Sequence, residues 1–166
     1  MSNSPLLLKR HFFVTTSLKA QTKGDPKAIN KIETKVEVSK PEGHPNDYLV
    51  SLNVRIEPHD DTVPCYLGEF RVLGFFGVHE NYPSEKCTRL VAVNGASILY
   101  GAVREMVANL TARGPWPMVT LVSINFSEGA DGQPAPAHGT PAPAKEPEAT
   151  AEKAGSSKHR RSAANR

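Results

Sequence analysis

Five positions, Tyr48, Val50, Leu52, Val54 and Ile56, alternate without a break against Ser51, Asn53, Arg55 and Glu57. A period of two places every second side chain on one face of an extended chain, so this segment can only be a strand buried on one side and wet on the other. Its neighbours repeat the pattern. Ile32, Thr34, Val36 and Val38 oppose Glu33, Lys35 and Glu37; Tyr66, Gly68, Phe70, Val72, Gly74 and Phe76 oppose Leu67, Glu69, Arg71, Leu73 and Phe75. From His11 to Ala20 the same reading sets Phe12, Val14, Thr16 and Leu18 on one side and Phe13, Thr15, Ser17 and Lys19 on the other. Turn residues separate the runs: Gly24-Asp25-Pro26, then Pro41, Gly43 and Pro45, then Pro58 to Pro64 with Asp60 and Asp61 as turn formers. Four strands with short connections predict an antiparallel meander.

After Pro83 the period changes. Ile98, Leu99, Ala102, Val103, Met106, Val107 and Leu110 recur at helical spacing, with Asn94 as the expected N-cap and Gly114-Pro115 as the stop. This predicts an amphipathic helix of roughly five turns. Val119, Leu121, Val122, Ile124 and Phe126 then form an extended apolar piece expected to pack back on the sheet or helix.

The fold class is therefore α+β, a four-stranded antiparallel sheet with one long helix layer, in residues 1–126. Residues 127–166 hold five of the fourteen prolines and no aliphatic or aromatic side chain larger than alanine. Nothing there offsets the entropy of ordering, and a disordered Pro/Ala-rich tail with a basic end (Lys158, Arg160, Arg161, Arg166) is expected. One sheet and one helix layer leave the far side of the helix and several aromatics without cover, which predicts oligomerisation through the helices or the sheet edges.

Several function classes are disfavoured. Fourteen basic and twelve acidic residues within 1–126 give no field for nucleic acid. Cys65 and Cys87 form neither a CxxC pair nor a disulfide framework, and His79 lacks a second histidine at helical spacing, so no metal and no cofactor is expected. No nucleophile has an identifiable base partner, so no enzyme is expected. The apolar run Leu6-Leu7-Leu8 is too short for a signal peptide, and no segment reads as a membrane span, which predicts a cytoplasmic protein. An apolar surface without a catalytic set points to a binding protein.

Ile98 to Glu105, then Arg113-Gly114-Pro115-Trp116-Pro117, then Leu121 and Ile124-Asn125-Phe126 resemble the signature stretch of the SecB protein-export chaperones. The resemblance implies a dimer of dimers with the helices as its middle layer. It also implies an ATP-independent holdase that binds unfolded or precursor proteins in hydrophobic grooves and hands them to the SecA motor. Groove candidates are Phe75, Phe76, Tyr100 and Trp116. Leu67 and Glu69 match the family's SecA-contacting leucine and glutamate, whereas Thr15 and Lys19 stand at positions that are acidic in the family, and Gly101 stands where a proline is usual. The loop from Gln21 to Asn30 lacks the aromatics of the family's crossover segment, and Phe126 runs into Ser127 and Gly129 where a second helix is usual. A chaperone or adaptor dedicated to one client, such as an antitoxin, is the alternative. An enzyme or small-ligand protein on an α+β fold that encloses a pocket is a third reading.

Overall fold

The computed structural model describes residues 4–59 and 61–127, so the predicted tail beyond Ser127, and Asp60 of the predicted turn, lie outside the described residues. Strands β1 (Leu6–Ala20), β2 (Asn30–Ser39), β3 (Asp47–Pro58) and β4 (Tyr66–Val78) precede helix α1 (Ser84–Leu90), a π turn (Val91–Gly95) and helix α2 (Ala96–Thr111). The three alternating runs 32–38, 48–57 and 66–76 are strands in the expected phase. Val50, Leu52, Val54, Phe70, Val72 and Phe76 are all 0% exposed, forming the inner face on which the helix lies.

The strand order is β1-β4-β3-β2, all antiparallel. The expected meander is therefore corrected to a Greek key: β2, β3 and β4 are sequential neighbours, and β1 reaches β2 by a crossover over the end of the sheet. The crossover, residues 21–29, is held by Gln21 N–H to the Cys65 carbonyl (2.8 Å) and Asp25 N–H to the Val63 carbonyl (2.8 Å). These bonds fix the connection against the β3–β4 loop instead of allowing a direct hairpin.

β1 starts five residues earlier than expected, and its alternation is broken twice. Its pairing with β4 slips between Leu8 and Arg10 and between Phe13 and Thr15. Each bulge adds one unpaired residue and turns the following side chains to the opposite face. Phe13 therefore packs on the core with Leu18, while Phe12, 42% exposed, joins Thr15, Ser17 and Lys19 outside. The expectation that Phe12 and Val14 share the buried side is corrected by this second bulge.

The helix is also longer than expected. It begins at Ser84, behind Pro83, and runs to Thr111 with Asn94 exposed inside the π turn instead of acting as a cap. Pro83 has ψ of 122°, outside the helical region, and its carbonyl accepts from Lys86 N–H. The stop falls where Gly114 was expected to end it. At 28 residues, Ser84–Thr111 is long and apolar enough to cross a membrane by length and composition, contrary to the expectation that no segment is. Here its apolar stripe, Val91, Leu99, Val103 and Val107, is fully covered by the sheet. The extended piece from Val119 to Phe126 returns along the helix as expected: Tyr100 Oη donates to the Val122 carbonyl (2.8 Å), Arg104 Nε to that of Leu121 (2.9 Å).

Candidate functional site: an aromatic hub and the outer face of the sheet

The four aromatics expected to line a groove do not meet. Phe75 and Phe76 are consecutive in β4, so they point to opposite faces. Phe76 is 0% exposed beneath the helix, and Tyr100 is 3% exposed with its hydroxyl bonded to Val122. Burial pushes the Tyr100 phenol up to about 12, only partly opposed by the Arg104 guanidinium. Both rings lie in the interior of the single protomer. Phe75 lies on the outer face of the sheet, leaving Trp116 as the one expected groove residue at an accessible end.

Trp116 follows directly from the local sequence. Gly114 permits the chain to pass against Tyr66, where a Cβ would overlap the phenol oxygen, and Pro115 and Pro117 stiffen the step on either side. The Tyr66 hydroxyl accepts the Trp116 backbone N–H (3.1 Å) and lies within donating distance of the carbonyls of Trp116 (3.1 Å) and Thr111 (3.4 Å). The indole Nε1–H donates to the Gln21 carbonyl (2.9 Å). Thr111 completes the knot, its hydroxyl accepting Val119 N–H (2.9 Å) and donating to the Val107 carbonyl (2.8 Å). One half-buried indole thus ties the helix stop to the crossover, and Tyr66 ties it to the start of β4.

Apolar side chains remain open on the same elements: Ile29 (51% exposed) in the crossover, Val63 (47%) in the β3–β4 loop, Leu110 (38%) in the last helical turn and Met118 (59%) after the stop. Sequence reasoning missed Tyr66 and Gln21. Tyr66 was legible only as an inward-facing strand residue. Its polar tip was the available signal, since a buried phenol needs a partner. Cys65 beside it is buried, which raises its thiol, as does the Asp25 carboxylate; it is not an activated nucleophile. Among the described residues no group of three or more His, Cys, Asp or Glu side chains could hold a metal.

The second pair of expected residues does come together. Leu67 and Glu69 line a shallow, open depression of about 400 Å³ on the outer face with Ser17, Lys19, Arg55 and Glu57. Lys19 pairs across the ladder with Leu67, Ser17 with Glu69 and Thr15 with Arg71, so all four positions read from the sequence share one surface. Glu69 is held by Arg55 Nε at 3.5 Å and accepts from Asn53 Nδ2 at 3.4 Å.

The family model described as preprotein translocase subunit SecB matches residues 13–129, from the middle of β1 through the returning segment. The chain belongs to the SecB family. The protein-export protein SecB of Anaplasma phagocytophilum is 29% identical over 119 residues, covering 64% of this chain and 75% of that protein. That of Anaplasma marginale is 30% identical over 79 residues, covering 48% and 45%. Among solved structures, the SecB-like chaperone of Mycobacterium tuberculosis in complex with a ChAD peptide from the HigA1 antitoxin superposes with a TM-score of 0.58, at 20% identity, over 73% of this chain and 91% of that one. At that identity the likeness shows the fold. In this SecB-family chain the matched region includes both surfaces described above, the Trp116 hub and the Leu67–Glu69 depression.

Proposed function

We propose that this SecB-family protein is an ATP-independent holdase that binds non-native polypeptides and keeps precursors competent for export. The carrying observation is the family match over residues 13–129. The open apolar end around Trp116 supports it physically. An extended, unfolded segment laid across Leu110, Trp116, Met118, Ile29 and Val63 buries apolar surface at roughly 25 cal/mol per Å², with no demand for a particular side-chain sequence. Flexible methionine and branched aliphatics around a fixed indole suit a site that takes many clients.

In this reading Trp116 is the client anchor, Phe76 and Tyr100 hold its supporting framework from inside, and Phe75 belongs to the partner face. The protein works without a cofactor and is not an enzyme, in keeping with a chaperone family. It acts in the cytoplasm as a tetramer, a dimer of dimers with the helices in the middle. The helix face turned away from the sheet supports that assembly, because Ile98, Gly101 and Glu105 are exposed there in a single protomer. Leu67 and Glu69 then remain on the outside, open to the SecA motor.

The test is light scattering of a chemically unfolded protein diluted into buffer with and without the full chain, in the absence of nucleotide. Suppression at stoichiometric ratio is expected, and failure with every unfolded chain tried removes the reading. A second reading, a chaperone dedicated to one client such as an antitoxin without SecA coupling, is favoured by Thr15 and Lys19 on the outer face. Lys19 places a cation directly across from Leu67. Full aggregation suppression with no measurable SecA binding would select it.

A further inference from the structure

Charges on the outer face sort by strand. On β2, Lys31 lies 2.5 Å from Glu33 and Lys35 lies 2.8 Å from Glu37, so that edge neutralises itself. On β3, Asp47 takes Lys9 from β1, Arg55 takes Glu69 from β4, and Glu57 lies across the ladder from Lys31 of β2. Three cations are left, Arg10, Lys19 and Arg71, all on the β1–β4 pair and all exposed. None has a carboxylate at ion-pair distance among the described residues.

The same pair of strands carries the outer face's aromatics. Phe12 and Phe75 stack at 6.2 Å between ring centroids and 30° between planes. The Arg10 guanidinium sits 4.6 Å from the Phe75 centroid and 5.7 Å from that of Phe12. A guanidinium lying on rings keeps its N–H edge available and loses little freedom when it accepts a carboxylate. Leu73 lies across from Phe12, and Leu67 across from Lys19. From Leu67 to Phe75 the strip is about 27 Å long, eight residues at strand rise.

We propose that this β1–β4 strip is a docking surface for an acidic protein segment that carries aromatic or aliphatic anchors, with Arg10, Arg71 and Lys19 receiving its carboxylates and Phe12, Leu73 and Phe75 its apolar side chains. The proposal gives the chemistry of the partner at the face that holds Leu67 and Glu69. It rests on that face remaining open, not on the holdase activity. Complementarity of this kind sets choice of partner and rate of encounter more than bulk affinity, so its signature is salt dependence and charge sign.

The test uses the full chain and two fluorescein-labelled peptides of about ten residues, long enough to span the strip in extended form. Phe and Leu positions are identical in both; glutamate fills the remaining positions in one, lysine in the other. By anisotropy the glutamate peptide should bind at least about tenfold more tightly than its lysine twin, and lose about tenfold between roughly 50 and 500 mM salt. The double variant Arg10→Glu/Arg71→Glu should lose the preference, while still suppressing aggregation of an unfolded client as the parent does. If that variant loses its folded circular dichroism, the wild-type salt series and the milder Arg71→Gln variant, with a loss of severalfold, carry the test. Equal affinity for the two peptides overturns the proposal. So does displacement of the glutamate peptide by a single-stranded oligothymidylate that binds more tightly, which would make this a nucleic-acid face. A change in assembly mass in the double variant with peptide affinity untouched also overturns it, by assigning the strip to a second copy. Loss of aggregation suppression with peptide binding intact would strike the holdase reading instead.

Discussion

Tyr66→Phe removes one oxygen from the point where three elements meet. The residue is 3% exposed, and its hydroxyl is the acceptor for the Trp116 backbone N–H at 3.1 Å. It also faces two carbonyls, those of Trp116 and Thr111, at 3.1 and 3.4 Å, and can donate its single proton to one of them at a time. The variant keeps the ring in place and leaves the N–H and a carbonyl without their partner. Leaving a buried donor unsatisfied costs about 1–3 kcal/mol. Trp116 is only half-buried, so water reaches part of the gap, and the lower half of that range, about 1–2 kcal/mol, is expected. For a folded region of this size each kcal/mol moves the melting temperature by roughly 3–6 °C, so a fall of about 3–12 °C should be measured at fixed protein concentration. Trp116 is the single tryptophan of the chain, so its emission reports the same event directly. With its backbone released, the indole should shift to the red and become more accessible to iodide, even though Nε1 still has Gln21 as its acceptor. Gly114→Ala attacks the same contact from the other side, because the added methyl overlaps the phenol oxygen, and should give the same spectral change. A Tyr66→Phe protein melting within about 1 °C of the parent, with unchanged emission, would refute the idea that these bonds hold the end of the helix.

Gly74→Ala should destabilise by about 1–3 kcal/mol, since the new Cβ comes 2.7 Å from Phe76 and 2.8 Å from Leu99 in a filled core. Gly101→Ala meets nothing within 4 Å in the protomer and should add about 1 kcal/mol of helix stability in chemical denaturation; a loss instead would place Gly101 in a tight contact between copies. The Tyr100 phenol, raised in the folded chain from 10.0 to about 12, contributes stability that is complete below pH 10 and is lost as pH climbs through 12. Denaturation midpoints of the parent should fall across that window relative to Tyr100→Phe, and parallel curves would count against it. Leu67→Arg should leave the assembly mass by light scattering unchanged while weakening SecA binding; a smaller assembly would show that Leu67 is structural.

How much of this was legible follows from which forces are local. The alternation of β2, β3 and β4 survives because each has one face under the helix, and burial of Val50, Leu52, Phe70 and Val72 fixes the register. β1 misled because it is an edge strand, where a bulge costs little, and the second of its two bulges turns Phe12 outward and Phe13 inward without any mark in the sequence. Strand order was not legible either, since the bonds that carry the crossover over the sheet end are backbone to backbone. Asn94 misled for a related reason. A good capping side chain is available there, but continuing the helix back to Ser84 buries Val91 and Cys87 against the sheet, and tertiary burial outweighs a single cap. Leu67 and Glu69 lie beside Lys19 on the outer face, as their strand positions require, since strand positions set faces. The groove aromatics were chosen by residue type, and type does not separate Phe75 outside from Phe76 inside.

That distinction makes β4 the strand on which the two surfaces are built. Its even residues, from Tyr66 to Phe76, carry the core and, at Tyr66, the hydroxyl that positions Trp116. Its odd residues, from Leu67 to Phe75, carry the outer strip. Tyr66 and Leu67 share a peptide bond, and across the ladder Lys19 lies opposite Leu67, two residues before the Gln21 carbonyl that receives the indole. A partner seated on the depression therefore bears on the two chain segments that fix Trp116, with no intervening layer. Leu67→Arg and Tyr66→Phe then separate the surfaces. The first should leave Trp116 emission unchanged in the isolated protein and alter only partner binding, and the second should alter emission and client affinity while the outer face still binds its partner. If each variant instead abolished both bindings with the fold intact, the two faces would have to be treated as one site.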